Sequence, residues 1–196
     1  LFTVANILTI SRIFIAPLFL AGVLVDTATG MHIAVVLFII GALTDYFDGL
    51  LARRYGQVTQ LGMELDPLAD KVLTTTAWVA LAYVDVMPLW MAVIIIARDF
   101  ATTLLRSYAV SRGVPIQTTR SAKAKTMAQM LFIAYGLIVV WLERTQPSSA
   151  LQPFVSSIAR GSTTWWLGAG ITTFTVVTMI EYLHRNRSLF QRDSRQ

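Results

Sequence analysis

Apolar residues in this chain do not alternate with polar ones. They gather into long runs separated by short polar stretches. Six runs can be drawn, roughly Ile7 to Val25, Met31 to Arg53, Asp66 to Val84, Pro88 to Ser111, Lys123 to Trp141 and Thr164 to Leu183. Each is near the ~20 residues that an α-helix needs to cross the hydrocarbon core of a bilayer. The pattern therefore predicts an all-α polytopic membrane protein with six transmembrane helices. It shows no internal repeat, low-complexity tract or second domain, so residues 1–196 read as one domain. Between the last two runs, Ser148 to Ser162 is too polar and too interrupted to span. Leu151, Phe154, Val155 and Ile158 fit a short interfacial helix there. Trp165 and Trp166 then mark the headgroup level. Pro17 predicts a kink in the first span, which a membrane helix tolerates. Gly41 predicts close helix packing.

Composition agrees. Hydrophobic residues make up 55% of the chain and charged residues 14%, against about 25% charged in soluble domains. The absence of cysteine excludes disulfides and thiol chemistry. The net charge of +5 reads as topology and anionic-lipid contact rather than nucleic-acid binding. One set of ends carries Arg12, Arg53, Arg54, Lys71, Arg112, Arg120, Lys123, Lys125, Arg185, Arg187, Arg192 and Arg195. The opposite loops hold Asp26, Asp85, Glu143, Arg144 and Arg160. The positive-inside rule then places both termini in the cytoplasm. The chain opens on Leu1, so a few residues are expected upstream, and the first run lacks the small-residue site of a cleavable signal.

Against this apolar background, Asp45, Asp48, Asp66 and Asp70 fall within one stretch, Thr44 to Lys71. Asp45, Asp48, Gly49 and Ala52 are spaced to share one helix face, and Gly62, Asp66 and Asp70 share a face of the next helix. A short link, Tyr55 to Leu61, allows the two helices to run antiparallel with those faces opposed. Carboxylates gathered in this way repel one another unless a cation sits among them. Oxygen-only ligands suit Mg²⁺, Mn²⁺ or Ca²⁺, whereas zero cysteines and two histidines argue against zinc. The plainer alternative is a solvated helical hairpin at the membrane edge, with the acids paired to Arg53, Arg54 and Lys71.

A second set of charges lies further on. Arg98 and Asp99 fall about ten residues into the fourth run, near mid-bilayer, where a charge is a functional candidate by default. An ion pair locking two helices together is the alternative. Arg106, Lys123 and Lys125 lie at the inner ends of the fourth and fifth runs, where they form either topology signals or a basic pocket for an anion. Gln129 follows one turn after Lys125.

The fixed positions Asp45-x2-Asp48-Gly49-x2-Ala52-Arg53-x8-Gly62-x3-Asp66-x3-Asp70 resemble the complete signature of the CDP-alcohol phosphotransferases, with every spacing kept. Arg98-Asp99, Leu105-Arg106 and Ser121-Ala122-Lys123-Ala124-Lys125-Thr126-x2-Gln129 resemble the phosphatidylglycerophosphate synthase branch of that superfamily. Two positions depart from the branch: Asp99 stands where Glu is usual, and Ala122 where Gly is usual. The resemblance covers Asn6 to Gln129.

It implies transfer of a phosphatidyl group from CDP-diacylglycerol to sn-glycerol 3-phosphate, with release of CMP, in a cytoplasm-facing polar cavity. Asp45, Asp48, Asp66 and Asp70 would hold two Mg²⁺ or Mn²⁺ ions, and Asp70 would also be the general base. The donor would contact Asn6, Thr9, Asp45, Gly49, Ala52, Arg53, Gly62 and Asp66. Arg98, Arg106, Lys123 and Lys125 would bind the acceptor phosphate. The resemblance further implies a homodimer among membrane lipids, in a bacterial inner membrane.

The rival readings are a related enzyme with another acceptor, such as a cardiolipin synthase, an intramembrane prenyltransferase, and a cation-coupled transporter. The prenyltransferases carry two acidic motifs far apart in sequence. A transporter is expected to show repeated halves or broken midplane helices.

Overall fold

The computed structural model describes the backbone of residues 4–55, 60–111, 120–145, 150 and 152–186, and the side chains of 11–44, 71–110, 124–145, 150 and 152–186. Among the described residues it is all helical: α1 (Val4–Leu24), α2 (Ala28–Tyr55), α3 (Gln60–Tyr83), α4 (Leu89–Ser111), α5 (Arg120–Thr145), α6 (Gln152–Ala159) and α7 (Ser162–Arg185). Each of the six apolar runs becomes one long helix, and the short helix expected after Ser148 is α6. The largest difference is at α3, which begins at Gln60 rather than Asp66. Hydropathy marks where a helix is greasy, whereas its backbone hydrogen bonds continue through polar residues such as Gln60 and Glu64.

The helices pack as two rings that share an edge. α1 lies against α2 and α3, and α2 also meets α5. On the other side α3, α4, α7 and α5 pack each against the next, so α4 and α5 face one another across the middle of that ring. Phe19, Met31, Trp78, Leu81, Met91 and Ile133 lie in the apolar core. Trp78 of α3 stacks on Phe132 of α5, with ring centroids 5.9 Å apart. Gly41 works as close packing requires: a Cβ there would stand 2.6 Å from Cδ2 of Leu73 on α3. At Gly168 a Cβ would meet Sδ of Met91 at 3.3 Å, so α7 also approaches α4 closely.

Large apolar side chains cover the outside of the bundle as well as its core. Phe14, Leu18, Leu104, Leu131 and Trp166 are exposed, while Arg12, Asp99, Lys125, Gln129, Thr172, Thr175 and Thr178 are buried. A lipid solvent favours this arrangement, because apolar side chains lose nothing at the outside and charges gain partners only inside. Two stretches, Ala124–Thr145 and Gln152–Arg185, are long and apolar enough to cross a membrane, and Ser11–Leu24 and Ala28–Thr44 are shorter apolar helices.

Asp26, Asp85, Glu143, Arg144 and Arg160, the charges expected in the opposite loops, stand together around a cavity of about 390 Å³, with Glu143 and Arg144 in the last turn of α5 rather than in a loop. Asp26 and Asp85 adopt left-handed φ values of 51° and 59° at the turns after α1 and α3, a conformation Asp tolerates better than most residues. Arg144 donates to the Val23 carbonyl at 2.7 Å, near the end of α1, and pairs with Asp26 at 2.9 Å. Arg160 pairs with Glu143. The two Arg144 contacts differ in worth, because the Asp26 side chain is 81% exposed and the Arg144 side chain 14%. Arg144→Ala is therefore expected to lower stability by about 1–3 kcal/mol, through the lost charge-assisted bond to a helix-end carbonyl. Asp26→Asn should change it by less than about 1 kcal/mol. Thermal unfolding of both variants in detergent checks the difference, and equal effects would contradict it.

Candidate functional site

α2 runs without a break through positions 45 to 55, and α3 through 60 to 70. All four aspartates of the signature thus lie on helices, as do Gly49, Ala52, Arg53 and Gly62. The side chains of these residues, and of Asn6, Thr9 and Lys123, lie outside the described residues. Asn6 and Thr9 fall on α1 and Lys123 on α5. Arg12, one turn beyond Thr9, is buried. Arg106 is exposed on α4, toward its C-terminal end.

The remaining predicted residues come together. Arg98 and Asp99 on α4 meet Lys125 on α5 across the middle of the second helix ring. Lys125 Nζ lies 2.6 Å from Asp99 Oδ1, and Arg98 Nη1 lies 3.2 Å from the same oxygen. Asp99 thus joins Arg98, its neighbour on α4, to Lys125 on the opposite helix. The three side chains are between 5% and 12% exposed, so two cations share one anion in a largely water-free interior. Lys71, next in sequence to Asp70, lies on α3. Among the described residues the cluster therefore holds two cations to one carboxylate. Buried charge in excess is costly unless an anion completes it.

Sequence reasoning missed the contribution of α7. Arg98 Nη2 donates to Thr178 Oγ1 at 3.0 Å, and Gln129 Nε2 to Thr175 Oγ1 at 3.4 Å. Thr102, one turn beyond Arg98, accepts from its Nη1 at 3.4 Å. A signal was present. Thr172, Thr175 and Thr178 recur at i, i+3 and i+6 in an otherwise apolar run, which places three hydroxyls on one helix face.

Comparison with known proteins extends beyond the signature. A family model described as CDP-alcohol phosphatidyltransferase matches residues 2–177. A Mycobacterium tuberculosis (strain H37Rv) protein named "Probable phosphatidylglycerophosphate synthase" is 33% identical over 186 residues, covering 92% of this chain and 80% of its own. A Bacillus subtilis (strain 168) protein named "CDP-diacylglycerol--glycerol-3-phosphate 3-phosphatidyltransferase" is 36% identical over 150 residues, covering 70% of this chain and 78% of its own. The family match takes in α1 to α6 and most of α7, including Thr175, and with it the four aspartates and the Arg98–Asp99–Lys125 cluster. The chain belongs to the CDP-alcohol phosphatidyltransferase family.

Proposed function

We propose that this protein transfers the phosphatidyl group of CDP-diacylglycerol to sn-glycerol 3-phosphate, giving phosphatidylglycerophosphate and CMP. The observation that carries the choice of acceptor is the buried cluster of Arg98, Asp99 and Lys125, in which two cations share one carboxylate. A phosphomonoester supplies the anion that such a cluster lacks. The relatives' names point to the same pair of substrates.

Asp45, Asp48, Asp66 and Asp70 form an oxygen-only donor set on two consecutive helices, which fits two hard divalent cations, Mg²⁺ or Mn²⁺. When bound, such ions would neutralise pyrophosphate charge and stabilise the CMP leaving group. Asp70 accepts the proton of the acceptor hydroxyl. The hydroxyl oxygen attacks the lipid-side phosphorus, the bond to the CMP oxygen breaks, and CMP leaves. Asn6, Thr9, Gly49, Ala52, Arg53 and Gly62 line the donor. Gly49 and Ala52 leave room for cytidine, and Arg53 pairs with the donor phosphates. Lys125, Lys123, Arg106 and Arg98 hold the acceptor phosphate, so that its free hydroxyl reaches Asp70.

The six long helices span the membrane with both termini and the site in the cytoplasm, in a bacterial inner membrane, and the protein works as a homodimer. The apolar exterior supports the spanning arrangement, and the charge asymmetry of the loops supports the orientation. Labelled CDP-diacylglycerol offered to the purified protein with glycerol 3-phosphate, phosphatidylglycerol, inositol phosphate or serine tests the acceptor. Turnover is expected with glycerol 3-phosphate. Turnover with phosphatidylglycerol and none with glycerol 3-phosphate would reverse the assignment to a cardiolipin synthase.

A further inference from the structure

We infer that Thr178 of α7 is a positioning residue for the acceptor, acting through Arg98; the inference rests on the reading of Arg98 as a phosphate ligand. The hydroxyl of Thr178 donates to the Thr175 carbonyl at 2.9 Å, which leaves an oxygen lone pair to receive Arg98 Nη2 at 3.0 Å. Arg98 Nη1 is shared between Asp99 Oδ1 and Thr102 Oγ1, at 3.2 and 3.4 Å. A guanidinium is planar, so holding both terminal nitrogens fixes the direction of the Nε–H.

That Nε is buried and has no hydrogen-bond partner among the described residues, on a side chain that is itself nine-tenths buried. A lock between helices would be expected to satisfy every donor it encloses. An aimed and unmatched donor on a buried cation points to an anionic oxygen as its partner, and the acceptor phosphate is the anion the reaction brings. Two contacts, Asp99 and Thr102, lie on the same helix as Arg98. Thr178 is the one that comes from another helix, so it ties the direction of Nε–H to the position of α7.

The test is steady-state CMP release by the full-length protein in detergent, with glycerol 3-phosphate varied at saturating CDP-diacylglycerol. Thr178→Val keeps the shape and removes the acceptor oxygen. It is expected to raise KM for glycerol 3-phosphate about tenfold, with kcat and the KM for CDP-diacylglycerol within about twofold of wild type. Thr178→Ser should restore the low KM, and Thr178→Ala serves if the valine variant does not fold. In an Arg98→Lys background, Thr178→Val should add little, because the two act as one unit. An unchanged KM for glycerol 3-phosphate in a folded Thr178→Val or Thr178→Ala protein overturns the inference. So does a loss spread equally over kcat and both KM values, the mark of a merely structural role. If Arg98→Lys itself leaves that KM unchanged, the reading of Arg98 fails and the inference falls with it. If Arg98→Lys raises the KM and Thr178→Val does not, only the role of Thr178 is lost.

Discussion

Asp70→Asn is expected to reduce metal-dependent CMP release by about three orders of magnitude or more, with the protein still folded. Loss of a positioned general base typically costs about 10²–10⁴-fold, and Asp70 is proposed as a metal ligand as well. The change is isosteric, so it removes charge and basicity and little else. Asp45→Asn, Asp48→Asn and Asp66→Asn leave the proposed base in place, and part of their activity should return as Mg²⁺ is raised. Stability should move the other way. On the proposed arrangement the wild-type acids repel one another in chelator, so each Asn variant should unfold at an equal or higher temperature than wild type. Added Mg²⁺ should stabilise the wild type more than the variants, because a ligand that binds only the folded state raises its apparent stability. A thermal-shift series in detergent, with and without Mg²⁺, alongside a CMP-release assay reads both effects. An Asp70→Asn protein keeping a tenth of wild-type turnover would remove Asp70 from the role of base.

The second large effect is expected at Asp99. Asp99→Ala leaves Arg98 and Lys125 facing each other without the carboxylate they share. Breaking a buried pair by removing one partner costs about 3–5 kcal/mol, because an uncompensated charge remains. Lys125→Met removes the opposite partner and should be milder, since Asp99 keeps Arg98 at 3.2 Å and the cluster becomes balanced. Its cost should appear instead as a raised KM for glycerol 3-phosphate. Asp99→Glu restores the residue usual in the resembled branch and should stay folded and active. Thermal unfolding of the three variants checks the order, with Asp99→Ala lowest. An Asp99→Ala protein as stable as wild type would show that the carboxylate is not what balances the cluster.

The long helices were legible because the length of an apolar run is a local property of the chain. A run of about 20 apolar residues is one helix whatever its neighbours do. Even α6 was visible, through the spacing of Leu151, Phe154, Val155 and Ile158. The start of α3 was less so, since Gln60 and Glu64 are helical without being apolar. The acids were legible for a different reason: charge is rare in this chain, so its clustering and spacing stand out.

The Arg98 site shows where such reading stops. Residue types and helical spacing along the chain carried the list of charged candidates, the helix count and the family signature, because each is a local property of consecutive residues. Which charge neutralises which was settled only in three dimensions. Lys125 could have paired with a lipid headgroup, yet it lies 2.6 Å from Asp99 because α4 and α5 face each other across a ring closed by α3 and α7. Thr178 is 80 residues from Arg98 in sequence, and no local pattern joins them. Their contact depends on α7 packing against α4, which is set by the shapes of many side chains at once.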